Sequence, residues 1–127
     1  MKKIFVDVDQ TLCVKPHDGS YADATPNREI IQKLNHLRLT SKVEIILYTS
    51  RNMRTYNEDI SKINLHTIPV IVEWCAQNKL DIDGIIVGKP YGGQGYFFID
   101  DRSIRPAEFL AKSISEIEAI MDADSFK

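Results

Sequence analysis

The chain has 127 residues, the size of one domain, and its 43% apolar content is enough to bury a core without staples. A formal charge of −2 creates no field that would draw nucleic acid or an anionic surface. No apolar run approaches the roughly 18 residues of a membrane span, so neither a nucleic-acid nor a membrane partner is expected.

The first apolar run, Ile4–Val8, is predicted as a strand. Its end carries Asp7 and Asp9, carboxylates that a signal-peptide core does not hold, so a cytoplasmic chain is expected. Cys13 and Cys75 have neither framework nor metal spacing and are expected to be reduced thiols. Residues 10–24 are polar and turn-rich, and Asp18-Gly19 predicts a small hairpin overhanging the strand end. Thr25-Pro26 reads as an N-cap followed by Pro at the first helical position, with Ile30, Ile31, Leu34 and Leu37 at helical spacing. Val43–Tyr48 is the second predicted strand. Met53, Tyr56, Ile60 and Ile63 give a second helical stripe, and Val70, Ile71, Trp74 and Cys75 in TIPVIVEWCAQNKL a third. Ile85–Val87 and Tyr96–Ile99 are the third and fourth strands. A last helical stretch runs from Pro106 toward Met121 with a break near Ser113, and Ser115 with Glu118 forms a capping-box pattern.

The four apolar runs are nearly continuous rather than alternating, as in parallel strands covered on both faces. Strands alternating with helices predict a single α/β domain over residues 1–127. The expected architecture is a three-layer α/β/α, Rossmann-like parallel sheet with right-handed crossovers.

Ligands of such sheets bind beyond the carboxyl ends of the strands. There the sequence places Asp7, Asp9 and Thr11, then Thr49, Ser50 and Arg51, then Gly88, Lys89 and Pro90, then Asp100 and Asp101. Converging carboxylates repel unless a cation neutralises them. Lys89 supplies one charge, and a hard divalent cation such as Mg²⁺ suits carboxylate and carbonyl oxygens. Thr49 and Ser50 can donate to phosphate oxygens, and Lys89 can offset their charge. An Asp can attack phosphorus to give an aspartyl-phosphate, and a second Asp two residues on can protonate the leaving oxygen and then deprotonate water.

With these residues in this order, the sequence resembles the haloacid dehalogenase superfamily of phosphohydrolases. DVDQT resembles its first motif, Thr49 in IILYTSR its second, Lys89 in VGKP its third, and Asp100-Asp101 in FFIDD its fourth. The resemblance implies Asp7 as nucleophile, Asp9 as general acid/base, and Thr49 and Lys89 as holders of the phosphoryl group. It implies a Mg²⁺ site of Asp7, the backbone carbonyl of Asp9, Asp100 and Asp101, one of the last two ligating directly and the other through water, with Asp101 preferred as the direct ligand. Gln10 departs from the pattern, where Gly is commonest. The hairpin at residues 10–24 resembles the family's flap, and neither gap between motifs is long enough for a cap domain. An open site of that kind accepts larger substrates or is closed by a neighbouring subunit of a homo-oligomer. YADATPNREII, LYTSRNMRTYN and GKPYGG resemble the capsule-biosynthesis phosphatases of bacterial polysaccharide clusters. That narrower resemblance implies a small phosphorylated substrate, a sugar phosphate or a related precursor.

Thr11 and Ser50 are further candidates for contacting substrate. Arg51 and Arg54 have two readings: they bind a substrate carboxylate or second phosphate, or they pair with Glu58 or Asp59 on the surface. His17 and His66 have no ligand spacing, and Trp74 falls on an apolar stripe and reads as core. Three other functions compete. A mutase or dehalogenase of the same superfamily is disfavoured, since dehalogenation does not need Asp9 as an acid/base and a mutase needs a cap to retain its intermediate. A signalling receiver domain also has an acidic pair and a Lys-Pro, but it needs an Asp at the end of a middle strand, where this chain has Thr49. A non-catalytic phosphate-binding module would use the same strand ends without turnover.

Overall fold

The structure, a computed structural model, describes residues 2–127. The chain divides into two compact units, one ending at Tyr91 and the other beginning at Gly92. The first unit is a mixed α/β structure built on three parallel strands, β1 (Lys3–Val6), β4 (Glu44–Thr49) and β5 (Gly84–Val87), in the order β1-β4-β5. Val6 sits beside Leu47, and Thr49 beside Val87. That register brings the three carboxyl ends to one edge of the sheet, which is what positions the candidate site.

Burial along β4 alternates. Ile45, Leu47 and Thr49 are buried, whereas Glu44, Ile46 and Tyr48 are only half-buried. Phe5 on β1 and Ile86 on β5 are exposed. Within this unit one face of the sheet is thus buried more completely than the other. Runs such as Ile45-Ile46-Leu47 cannot reveal this from sequence, because both faces carry apolar residues. Each fully buried Leu or Ile here contributes about 1.5–3 kcal/mol.

Helix α1 (Arg28–Thr40) buries Ile30, Ile31, Leu34 and Leu37, the stripe read from the sequence. Its cap is Asn27 rather than Thr25, since the Asn27 side chain accepts from the Ile30 N–H. Thr25–Pro26 instead forms a short strand, β3, antiparallel to β2 (Cys13–Val14). The expected hairpin is thus a two-stranded ribbon whose long loop holds a 3₁₀ turn at Tyr21–Asp23. Trp74 anchors the ribbon's base: its indole N–H donates to the Ala24 carbonyl at 2.9 Å, and both residues are buried.

Helix α2 (Ile60–Gln77) replaces two of the expected helices. Pro69 lies inside it. The rung lost at Pro69 frees the Leu65 carbonyl, and Leu65 is 68% exposed, so water can take that bond. Met53 and Tyr56 are not helical. They lie in a run of turns where Asn52, Asn57 and Glu58 have φ of 65°, 50° and 63°. Three left-handed residues in seven interrupt the helix that the apolar spacing implied. Arg38 at the end of α1 forms an ion pair with Asp83 at 2.7 Å, and Asp83 also accepts from the Ile45 N–H. The Arg38 guanidinium, joined by that backbone bond, holds the Asp83 carboxyl below its ordinary range.

The second unit carries helices α3 (Pro106–Ala111) and α4 (Ile114–Asp124). The break falls where it was expected. The capping box is Ser113 with Glu116 rather than Ser115 with Glu118. The fourth expected strand is absent: residues 96–99 form no ladder, and Phe97 and Ile99 are 79% and 95% exposed. An apolar run becomes a strand only where its backbone joins a ladder, and here the Tyr96 N–H donates instead to the Gly93 carbonyl in a local turn.

Candidate active site

The site is built from the loop that leaves β1. Val6 and Val8 are buried. The period-two alternation of extended chain therefore turns Asp7 and Asp9 the other way, where both are half-buried. The loop then tightens: Leu12, wholly buried, donates its N–H to the Val8 carbonyl at 2.8 Å. Asn27 fixes it from α1, with its N–H donating to the Leu12 carbonyl and its side-chain amide to the Thr11 carbonyl. Gln10 has φ of 66°, a left-handed conformation that glycine adopts without cost. Its N–H donates to the Cys13 carbonyl at 2.7 Å. The departure at Gln10 thus keeps the loop's geometry and adds strain.

Asp7 receives two partners. The Thr11 hydroxyl donates to one carboxylate oxygen at 3.1 Å, and the Lys89 ammonium lies 3.5 Å from the other. Lys89 is set by the residue before it. Gly88 has φ of 85°, a conformation that favours glycine, and a Cβ there would lie 2.8 Å from Ile60 Cδ1. The Lys89 N–H then donates to the Thr49 carbonyl, tying the end of β5 to the end of β4. Thr49 is buried, and its hydroxyl oxygen accepts from the Arg51 N–H at 3.1 Å, leaving its own proton to donate. Ser50 lies beside it, half-buried.

Arg51 is where the sequence was most ambiguous. Its guanidinium turns inward to Asp9, with Nε and Nη2 donating to the two carboxylate oxygens at 3.0 and 2.8 Å. The Arg51 side chain is 3% exposed and the Asp9 side chain 33%. Neither Glu58 nor Asp59 pairs with it. The Tyr21 ring packs 4.1 Å from the guanidinium carbon, and the Cys13 thiol lies 3.8 Å from both Asp9 and Nη2. Burial, then the Asp9 charge, pushes the Cys13 thiol up to about 11, and burial does the same to Cys75. Both thiols stay protonated at neutral pH. Tyr21 and Cys13 were not singled out as site residues from the sequence. Nothing in their local pattern signals a contact with a residue 30 or more positions away.

Arg54 is exposed and stacks over the Tyr91 ring at 5.0 Å, lining a cleft of about 470 Å³ with Met53, Asn57 and Glu58. A second cavity of about 200 Å³ lies between the 3₁₀ turn and α2, lined by Tyr21, Arg51, Asn52, His66 and Thr67. Asp7 lines neither. Asp100 and Asp101 belong to the second unit and are exposed, and Asp100 accepts from the Arg102 N–H at 2.7 Å.

Among the described residues, no three or more His, Cys, Asp or Glu side chains are grouped to hold a metal ion. The donors that the first unit does supply are hard. Asp7 has a side chain 34% exposed and a loose 3.5 Å pairing with Lys89, so an oxygen remains accessible, and the backbone carbonyl of Asp9 is close in sequence. Oxygen donors of this kind fit Mg²⁺, which takes one or two carboxylates and keeps water in its remaining positions.

The chain is similar to a structural-genomics target from Vibrio cholerae whose crystal structure is solved. The two share 39% identity over 98% of this chain and 100% of that one, with a TM-score of 0.91. The chain belongs to the same family as that protein. No family model and no curated protein matches it.

Proposed function

We propose that the chain is a phosphomonoester hydrolase of the haloacid dehalogenase type, with a three-layer α/β/α core, no cap domain, and Asp7 as nucleophile. The observation that carries this reading is the pair at the end of β1. Asp7 faces the Lys89 ammonium and the Thr11 hydroxyl, and Asp9 stands two residues on in its own ion pair. The end of the middle strand holds Thr49 and not an acceptor Asp, which argues against a receiver domain.

A carboxylate oxygen of Asp7 attacks phosphorus as the ester P–O bond breaks, and Asp9 gives its proton to the leaving oxygen. Water then attacks the aspartyl-phosphate at phosphorus, Asp9 takes the water's proton, and the bond from phosphorus to the Asp7 oxygen breaks, returning Asp7 as a carboxylate as inorganic phosphate forms. Lys89 offsets charge on the phosphoryl oxygens, and the Thr49 hydroxyl proton is placed to donate to one of them. Mg²⁺, held by Asp7 and the Asp9 carbonyl, would neutralise phosphate charge when bound. The resemblance adds Asp100 or Asp101 to its ligands. Thr11, Ser50 and Arg54 remain the candidates for contacting substrate, and a sugar phosphate or related capsule precursor is the proposed substrate class.

A hydrolysis screen over sugar phosphates, nucleotides and an aryl phosphate tests this, run with and without Mg²⁺. Phosphate release that requires Mg²⁺ and stops with EDTA is expected. No release from any ester under any condition would leave only the binding-module reading.

A further inference from the structure

We propose that Arg51, braced by Tyr21 of the ribbon loop, is a positioning residue that sets the acid/base carboxylate of Asp9. This rests on the phosphatase reading above and concerns how one of its steps is controlled.

Asp9 follows β1 in a loop, so its backbone alone leaves the carboxylate free to rotate. Arg51 removes that freedom. Two charge-assisted bonds, at 3.0 and 2.8 Å, engage both oxygens and fix the plane of the carboxylate. Arg51 itself is fixed by few contacts. Its N–H enters the turn closed by the Thr49 hydroxyl, which sets its backbone. Its guanidinium uses the Nε and Nη2 edge on Asp9, which leaves Nη1 on the far side, buried and without a hydrogen-bond partner. The Tyr21 ring against the guanidinium carbon supplies a contact that the missing hydrogen bond does not.

The geometry favours a role in the acid step, because the two bonds fix the direction in which Asp9 presents its carboxyl group to a leaving oxygen. Leaving groups that depart without a proton need this little; poor leaving groups need it most. Tyr21 sits in the 3₁₀ turn of the loop and Trp74 ties the loop's base to α2. A single ring thus links the loop's position to the proton donor.

The test compares p-nitrophenyl phosphate, a good leaving group, with glycerol phosphate, a poor one, on the wild-type chain and on Tyr21→Leu, Tyr21→Phe and Arg51→Lys. Tyr21→Leu should lower kcat on glycerol phosphate about 10-fold and on the aryl ester by less than about 3-fold, a fraction of what general acid catalysis supplies. Tyr21→Phe, which keeps the ring, should restore both. Arg51→Lys should show the same selectivity at larger amplitude, and far-UV circular dichroism reports whether it folds. The Tyr21 pair decides the matter if it does not. Equal losses on the two esters, or no loss in Tyr21→Leu, would overturn the positioning role while leaving the phosphatase reading intact. A wild-type chain inactive on both esters, and on the wider screen, would remove that reading and this one with it.

Discussion

The run at residues 4–9 and the run at residues 96–101 both lead from apolar residues into two carboxylates, and the structure treats them differently. Asp7 and Asp9 are held by Thr11, Lys89 and Arg51 over a base of buried Val8 and Leu12. Asp100 has one local bond to the Arg102 N–H, and Ile99 before it is 95% exposed. The pattern is similar in both places; the frame is not. A carboxylate becomes part of a defined site when neighbouring elements fix its loop, and in the first unit Arg51 after β4, Lys89 after β5 and Asn27 at the cap of α1 each supply a bond to do so.

The sharpest way to break this contrast is to remove one apolar side chain from each region and measure unfolding by denaturant. Leu12→Ala, at a fully buried position, should cost about 2–5 kcal/mol. Ile99→Ser should stay within about 0.5 kcal/mol, as an exposed substitution does. A large loss at Ile99 would show that the run is buried as a strand and that the two regions are framed alike.

A second probe uses the thiols. The Cys13 and Cys75 thiols are raised from 9.0 to about 11 in the folded chain, because burial favours the neutral form. A raised group contributes its stability in full below the unfolded value and loses it as pH rises through the folded one. Stability should thus fall between about pH 9 and 11, and Cys13→Ser with Cys75→Ala should flatten that limb. An unchanged limb in the double variant would mean that the thiols are not sealed.

The smallest effect is expected at Gln10. With φ of 66°, Gln10→Gly should relieve left-handed strain, offset in part by the freedom glycine gains on unfolding. The net gain should be roughly 0.5 kcal/mol in thermal unfolding. Destabilisation instead would show that the Gln10 side chain makes a contact worth more than the strain.

Much of this was legible in the sequence for a stated reason. Runs such as Val43–Tyr48 and the Ile30, Ile31, Leu34, Leu37 stripe became elements because their periodicity and their burial agree. Residues Asp7, Asp9, Thr49 and Lys89 stood out because strand ends in a parallel sheet share an edge. What was not legible depends on distance or on backbone conformation. The Arg51–Asp9 pair spans 42 positions, and the Tyr21 ring reaches Arg51 through a loop with no periodicity. TIPVIVEWCAQNKL reads as a separate helix, yet one helix runs through Pro69 because the carbonyl it leaves free lies on an exposed side. Met53 and Tyr56 have helical spacing, but Asn52, Asn57 and Glu58 take left-handed φ values around them.

The central claim is that Asp7 attacks phosphorus, and Asp7→Asn tests it most directly. The measurement is phosphate release in Mg²⁺ from the best substrate of the screen, with folding checked by circular dichroism. Removing a nucleophile should lower kcat by at least about 10³-fold in a chain that remains folded. A folded Asp7→Asn variant that keeps turnover near the wild-type rate would contradict the account.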